Sequence, residues 1–344
     1  MFAWIYPLLR FVLFRMDPEK SHDLSLKWLA RIERSPFKFL ISQKLIEDPV
    51  EVAGIRFPNR IGLAAGLDKN GRCIDAFAAM GFGHIEIGTV TPRPQPGNPK
   101  PRLFRLPKAQ GLINRFGFNN DGVDQLIENV KASRFTGVLG INIGKNFDTP
   151  VENANQDYLI CLQKVYPYAS YIVVNISSPN TTNLRQLQFG EALEELILSL
   201  QKKQTELAEQ YGRRIPIFIK IAPDLTQQET DELASTFSRL NVDGVIATNT
   251  TFSRKGVEGL PHNEEQGGLS GLPVLAGSNE VLARLSQQSS QQFPIIGVGG
   301  ICHPEHARQK IDAGASLVQV YSGFIYHGPK LIENISKRLK SLFG

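Results

Sequence analysis

From about residue 50 to the C-terminus, eight short runs of β-branched and other apolar residues recur, each followed by a longer stretch with helical periodicity. The runs fall at 61–64, 84–88, 138–143, 171–175, 216–221, 244–248, 294–298 and 316–320. Helical patterns lie near 71–80, 120–133, 152–166, 190–211, 226–240, 278–288, 304–313 and 328–342. Eight such units predict an α/β fold, a parallel (β/α)8 barrel, with an open doubly wound sheet as the runner-up. The count of eight decides between them. A hairpin is expected at 50–57, turning at Ala53-Gly54, ahead of the first barrel strand.

A chain of 344 residues accommodates one such barrel and a short appendage. With 42% hydrophobic and 21% charged residues it reads as globular, which excludes a disordered, collagen-like or polytopic membrane chain. Cys73, Cys161 and Cys302 stand far apart, so neither a disulfide framework nor a thiolate metal site is expected, and a reducing compartment fits. Residues 1–44 carry a net +4, leaving +1 of the total +5 for everything after them. The main body has no basic stripe, and no nucleic-acid partner is expected.

The first 44 residues form a helical segment apart from the barrel at 45–344. Residues 1–14, MFAWIYPLLRFVLF, are almost wholly apolar, but Pro7 and Arg10 interrupt a run already shorter than the roughly 20 residues needed to span a bilayer. A secretory signal would place its charge before the apolar run, whereas Arg15, Asp17 and Glu19 follow it, so no cleavage is expected. Asp17 offers an N-cap with Pro18 at the first helical position, and Leu24, Trp28, Leu29 and Ile32 recur at helical spacing until Ser35-Pro36. Two short helices result, expected to be apolar inside and basic outside. They either pack on the body as an ordinary extension or anchor at a membrane interface, with Trp4, Tyr6, Phe11, Phe14 and Trp28 among the headgroups and Lys and Arg toward anionic lipid.

In a barrel of this kind chemistry sits at the C-terminal ends of the strands. Polar and glycine clusters fall at all eight: 65–69, 88–89, Asn142, 175–180, Lys220, 248–250, 299–300 and 321–323. GVGGI and VYSGF, after strands seven and eight, make Gly299, Gly300, Tyr321 and Ser322 candidate phosphate donors. Lys220 ends the apolar run IPIFIKIA and turns a cation toward the barrel mouth, where it could form a Schiff base or face a reduced flavin. Asn114, Asn175, Asn180 and Asn249 both donate and accept, which suits a planar imide bearing a carboxylate. No ligand cluster with metal spacing is visible, and His303 and His306 open a surface helix, so no metal is expected.

AAGLDKNG, GTVTPRPQPGNPKPRLFRLP, INRFGFNN, GINIGKN, VNISSPNT, IKIAPDL, ATNTT, GGLSG, GVGGI and YSGFIYHGP follow one another in that order. Together they resemble the FMN-dependent dihydroorotate dehydrogenases of pyrimidine synthesis, in the membrane-associated, quinone-using class. The resemblance covers essentially the whole chain. It implies oxidation of dihydroorotate to orotate with one FMN per chain and a membrane quinone as acceptor, at the cytoplasmic face of a bacterial inner membrane and peripheral to an anionic lipid surface.

Carried over by position, the resemblance makes Ser178 the base that removes the C5 proton while the C6 hydride passes to flavin; the related soluble class has cysteine there. FMN contacts would be Ala65, Gly66, Thr89, Asn142, Asn175, Lys220, Thr248, Gly271, Gly300, Tyr321 and Ser322. Substrate contacts would be Lys69, Asn114, Arg115, Phe116, Gly117, Phe118, Asn175, Asn180, Asn249 and Thr250. Thr181 and Phe118 would order a proton path, and His22 and Arg105 would line quinone access. Where the family often has Pro-Gly after the Asn-Thr pair, this chain has Thr182-Asn183. A Schiff-base aldolase built on Lys220 and a non-catalytic, membrane-docked binding protein are the alternatives.

Overall fold

Short apolar runs flanked by glycine cannot cover themselves, and here each is buried on both faces by its neighbours in a closed parallel barrel. The structure, a computed structural model, describes residues 2–181 and 184–343, with side chains from residue 5; the Thr182-Asn183 departure and the side chain of Trp4 fall outside it.

The chain opens with α1 (Phe2–Leu13) and α2 (Pro18–Ile32), then the antiparallel hairpin β1 (Val50–Val52) and β2 (Ile55–Phe57). Ala53 and Gly54 at its tip both have positive φ, the backbone a two-residue primed turn requires. Next come β3 (Ile61–Leu63), α3 (Ile74–Ala79) and β4 (His84–Val90), then β5 (Leu103–Leu106), β6 (Gly111–Asn114) and α4 (Val123–Ala132). The middle of the barrel is β7 (Val138–Ile143), α5 (Ala154–Val165), β8 (Tyr171–Asn175), α6 (Gly190–Tyr211), β9 (Ile217–Ile221) and α7 (Gln227–Arg239). It closes with β10 (Gly244–Ala247), β11 (Gly268–Gly271), α8 (Leu275–Gln288), β12 (Ile295–Val298), α9 (Pro304–Asp312), β13 (Leu317–Val320), α10 (Ser322–His327) and α11 (Pro329–Phe343).

The ring runs β3-β4-β7-β8-β9-β10-β12-β13, each strand beside the next in sequence, and β13 returns to β3. Thr226 and Glu229 cap α7 reciprocally, and Gly212 in the left-handed region ends α6. At the lower end, Val52 and Phe57 of the hairpin plug the barrel against Tyr171, Phe218, Ile246 and Leu317. Two glycines make room for ring side chains in that interior: a Cβ on Gly140 would lie 2.2 Å from the Tyr171 ring, and one on Gly62 2.0 Å from the His84 ring. At the upper end β5, β6 and β11 form a separate antiparallel sheet over the strand ends, an element the sequence pattern does not announce.

The second N-terminal helix turns Leu26, Leu29 and Ile32 onto the core with Lys27 and Arg31 outside, as expected, but the first departs from the expectation of an apolar inner face and a basic outer one. Tyr6 and Arg10, one turn apart, donate to the Ile325 and Tyr326 carbonyls of α10, which fixes the polar side of α1 against the body. Ile5, Leu8, Phe11 and Val12 are therefore exposed, as are Leu24, Trp28, Phe37 and Phe39. Tyr6 and Phe14 turn inward, Phe14 edge-on to Tyr326, so of the aromatic residues expected at a headgroup layer only Phe11 and Trp28 face out among the described side chains. Asp17 caps α2 as anticipated, accepting from the Lys20 N–H at 2.9 Å. Glu19 on the same helix is buried and meets Arg102 through three hydrogen bonds of 2.8–3.2 Å. All three cysteines are free and buried.

Candidate active site

The strand ends and the antiparallel sheet above them border a concave cavity lined by both polar and apolar residues, the kind of place that holds small ligands and cofactors. Of the residues the resemblance assigns to a flavin, Ala65, Gly66, Thr89, Asn175, Lys220 and Thr248 line its floor and side. Gly271, Gly300, Tyr321 and Ser322 line the far wall. Asn142 lies one layer below: its Oδ1 accepts from Thr89 Oγ1 at 2.6 Å and its Nδ2 donates to Glu86 at 2.8 Å.

A polar chain continues across the floor. Asn175 Nδ2 donates to Thr89 Oγ1 at 2.9 Å, while its Oδ1 accepts from Ser177 Oγ and Asn249 Nδ2 at 3.2 and 3.3 Å. Asn249 Oδ1 accepts from the Thr250 N–H at 2.8 Å, and Asn180 Nδ2 donates to Asn114 Oδ1 at 3.3 Å. These amides face the cavity together with Phe116, Gly117 and Phe118. Ser178 is buried on the same wall, its Oγ accepting from the Asn180 N–H at 3.2 Å.

Two lysines reach the cavity from opposite sides. Lys69 stacks 3.7 Å from the Phe116 ring centre, and burial, reinforced by Arg102, brings its pKa down to about 7. An anionic substrate group would reverse that shift. Lys220 is buried at the floor with Glu86 Oε1 at 4.0 Å; burial lowers its pKa and Glu86 opposes the lowering.

Several expected residues lie elsewhere. Arg115 sits outside the cavity, paired with Glu265 at 2.7 Å and stacked on Phe104, because extended backbone turns Asn114 and Phe116 one way and the residue between them the other. Thr181 is buried behind the loop rather than on the wall. Arg105 donates to the Leu13, Phe14 and Met16 carbonyls at the end of α1. His22, half-buried on α2, is held down to about 3 by burial and by Lys69; neither it nor Arg105 lines the cavity. His303 and His306 each accept a backbone N–H, from Glu305 and Cys302. Among the described residues no group of three or more His, Cys, Asp or Glu side chains could hold a metal ion.

Sequence reasoning missed three contributors. Glu86, fully buried in β4, accepts from Asn142, Gln319 and Tyr171; a lone acid in the apolar run HIEIGT was the available signal. Ser270 Oγ lies 2.8 Å from Ser322 Oγ on the far wall. Arg185 ties three strand-end loops together, donating to the Ser177 carbonyl at 3.1 Å, the Thr250 carbonyl at 3.0 Å and Asp224 at 2.7 Å. Nothing in its sequence context points to that role.

The site fits a flavin mononucleotide: a cation and amide side chains lie at the floor, and glycines with positive φ and serine hydroxyls lie at the far wall. At Gly300 a Cβ would come within 2.4 Å of Leu275, so only glycine lets the start of α8 approach the turn so closely.

The Dihydroorotate dehydrogenase family profile matches residues 49–343. The chain is 59% identical over 330 residues to "Dihydroorotate dehydrogenase (quinone)" of Pectobacterium atrosepticum, spanning 96% of this chain and 98% of that protein. It is 58% identical over the same length to the protein of that name from Serratia proteamaculans, with the same coverage of each. The crystal structure of DHODH in complex with ferulenol from Eimeria tenella superposes with a TM-score of 0.88 at 37% identity, covering 95% of this chain and 91% of that one.

Proposed function

This chain belongs to the dihydroorotate dehydrogenase family, in its quinone-dependent branch, and oxidises dihydroorotate to orotate in pyrimidine biosynthesis; we propose that FMN above Lys220 is its resident cofactor and Ser178 its base. The observation that carries the assignment of roles is convergence: Ser178, the four asparagines, Lys69 and Lys220 all border one cavity.

When bound, FMN supplies the hydride acceptor. Lys69 holds the substrate carboxylate, its ammonium form restored by that negative charge. Asn114, Asn180, Asn249 and Thr250 read the donor and acceptor pattern of the imide, with Asn175 at the boundary to the flavin. Ser178 Oγ would pass its own proton onward as it takes the C5 proton, and the Asn180 N–H that it accepts stabilises the partial negative charge on the oxygen between the two transfers. Phe118 on the wall and Thr181 behind the loop order the onward path of that proton. Glu86 favours the ammonium form of Lys220, which suits stabilisation of a reduced flavin and works against the free amine a Schiff-base aldolase needs.

Ser178→Ala tests the base directly. The variant should retain FMN and bind orotate while flavin reduction by dihydroorotate slows by roughly 10²–10⁴-fold in stopped flow. Reduction at the wild-type rate would remove Ser178 from the role.

The quinone reaches the flavin edge past His22 and Arg105. The protein attaches peripherally to anionic lipid at the cytoplasmic face of the inner membrane, through Leu8, Phe11, Val12 and Trp28 on the outer face of α1 and α2. No described helix is long and apolar enough to cross a membrane.

A further inference from the structure

Lys310 projects from α9 into the protein interior and is fully buried. A lysine taken out of water needs a counter-charge or gives up its proton. Its Nζ donates to Ser278 Oγ of α8, and burial alone, with no charged neighbour contributing, brings its pKa down to about 7. Of the charged groups on the surrounding helices, Arg284 pairs with Asp231, Glu305 with Arg308 and Arg338, and Glu333 with Lys330 and Lys337, while Glu280 on α8 faces solvent. His306 on the same helix accepts the Cys302 N–H.

The lysine lies directly behind the cavity's far wall. A Cβ on Gly297 would stand 3.1 Å from Lys310 Cδ, so the stem runs along β12. Ser278 Oγ, which receives the lysine, donates in turn to the Gly299 carbonyl at 3.3 Å, and a Cβ on Gly299 would stand 2.9 Å from it. The Nζ is thus two hydrogen bonds from the Gly299-Gly300 turn.

We propose that Lys310 is the buried counter-cation of the FMN phosphate: it takes up a proton when the phosphate seats at the Gly299-Gly300 turn, and its charge then retains the cofactor from behind through Ser278. This rests on placing the phosphate at that turn. Beside a phosphate the lysine's pKa rises, so its contribution to retention is present below the raised value and is lost as the pH climbs through it.

The test is release of FMN from the holoenzyme, followed after dilution by the rise of free-flavin fluorescence between about pH 7 and about pH 10. Wild-type release should accelerate across this range, and a flat profile overturns the proposal without any variant. Lys310→Met, which keeps an unbranched apolar stem, should release FMN on the order of tenfold faster at about pH 7 and show less of the acceleration. Lys69 and Lys220 titrate in both proteins, so the difference between the profiles isolates Lys310. Ser278→Ala removes the hydroxyl through which the charge reaches the turn and should, like Lys310→Met, release FMN faster at about pH 7 with less acceleration; release at the wild-type rate and profile overturns the path through Ser278. Ser322→Ala separates the two layers of the argument. Faster release in Ser322→Ala with an unchanged Lys310→Met overturns the role of Lys310 alone, and unchanged release in both overturns the phosphate placement.

Discussion

Glu86 and Lys220 show how a single pair inside the barrel sets what the floor of the site can do. The carboxylate is fully buried and accepts from Asn142, Gln319 and Tyr171, so its charge is dispersed over three donors while Lys220 stands 4.0 Å away. Glu86→Gln removes the charge at nearly constant shape. The desolvation that already lowers the Lys220 pKa then goes unopposed, and the lysine loses its proton at a lower pH than before. A spectroelectrochemical titration of the bound flavin against pH should therefore show its lysine-dependent break displaced to lower pH, and a break at the wild-type position would disprove the coupling. Breaking a buried pair from one side also costs about 3–5 kcal/mol of stability, which a denaturant titration reads independently. Lys220 was visible in the sequence because a cation ending an apolar strand is costly without a purpose. Glu86 carried the same signal in HIEIGT, but only the closed ring of strands brings the two within reach of each other.

At the scale of elements, the joint between α2 and α3 contains a titrating latch. Glu33, at the C-terminal end of α2, accepts the Ala76 N–H of α3 at 2.9 Å, and burial, with Asp75 and Asp68 adding to it, pushes its pKa up from 4.5 to about 7. A folded-state pKa above the ordinary one means the contribution is fully present below about 4.5 and is lost as the pH rises through about 7. Amide protection factors in α2 should fall as the pH is raised across that window, and Glu33→Gln should flatten the fall. An equal fall in the variant would assign the change to another group. The eight barrel strands, the basal hairpin and the helices between strands were legible because their pairing follows chain order and each run is hydrophobic enough to be read alone. The sheet of β5, β6 and β11 was not. Its four-residue strands pair across distant stretches of chain, Leu269 opposite Ile113, and glycine-rich runs such as GGLSG read locally as loop. The orientation of α1 was misread for a related reason: its outward face is decided by Tyr6 and Arg10 finding carbonyls on α10, a contact no periodicity contains.

For the molecule as a whole, the apolar outer surface of the first two helices and the +4 carried by residues 1–44 lie on one appendage, while the proposed flavin and orotate sites lie at the strand ends of a barrel that closes on itself. That separation makes the two half-reactions separable. Removing residues 1–44 should leave dihydroorotate able to reduce the flavin, with a raised KM because Arg102, which loses Glu19, also braces the Pro96 and Asn98 carbonyls beside Phe116. Transfer to a long-chain quinone should collapse, since the surface that would guide an apolar tail toward the body is gone. The intact chain should bind anionic vesicles, with affinity falling as salt is added because each basic residue near the lipid contributes roughly 1 kcal/mol that ions screen. Burial of Leu8, Phe11, Val12 and Trp28 should leave a salt-resistant remainder, which Phe11→Glu with Trp28→Glu would abolish. A truncated protein that still passes electrons to a long-chain quinone at the full rate would mean that the appendage is packing alone, and that the acceptor reaches the flavin by a face of the barrel with no apolar path leading to it.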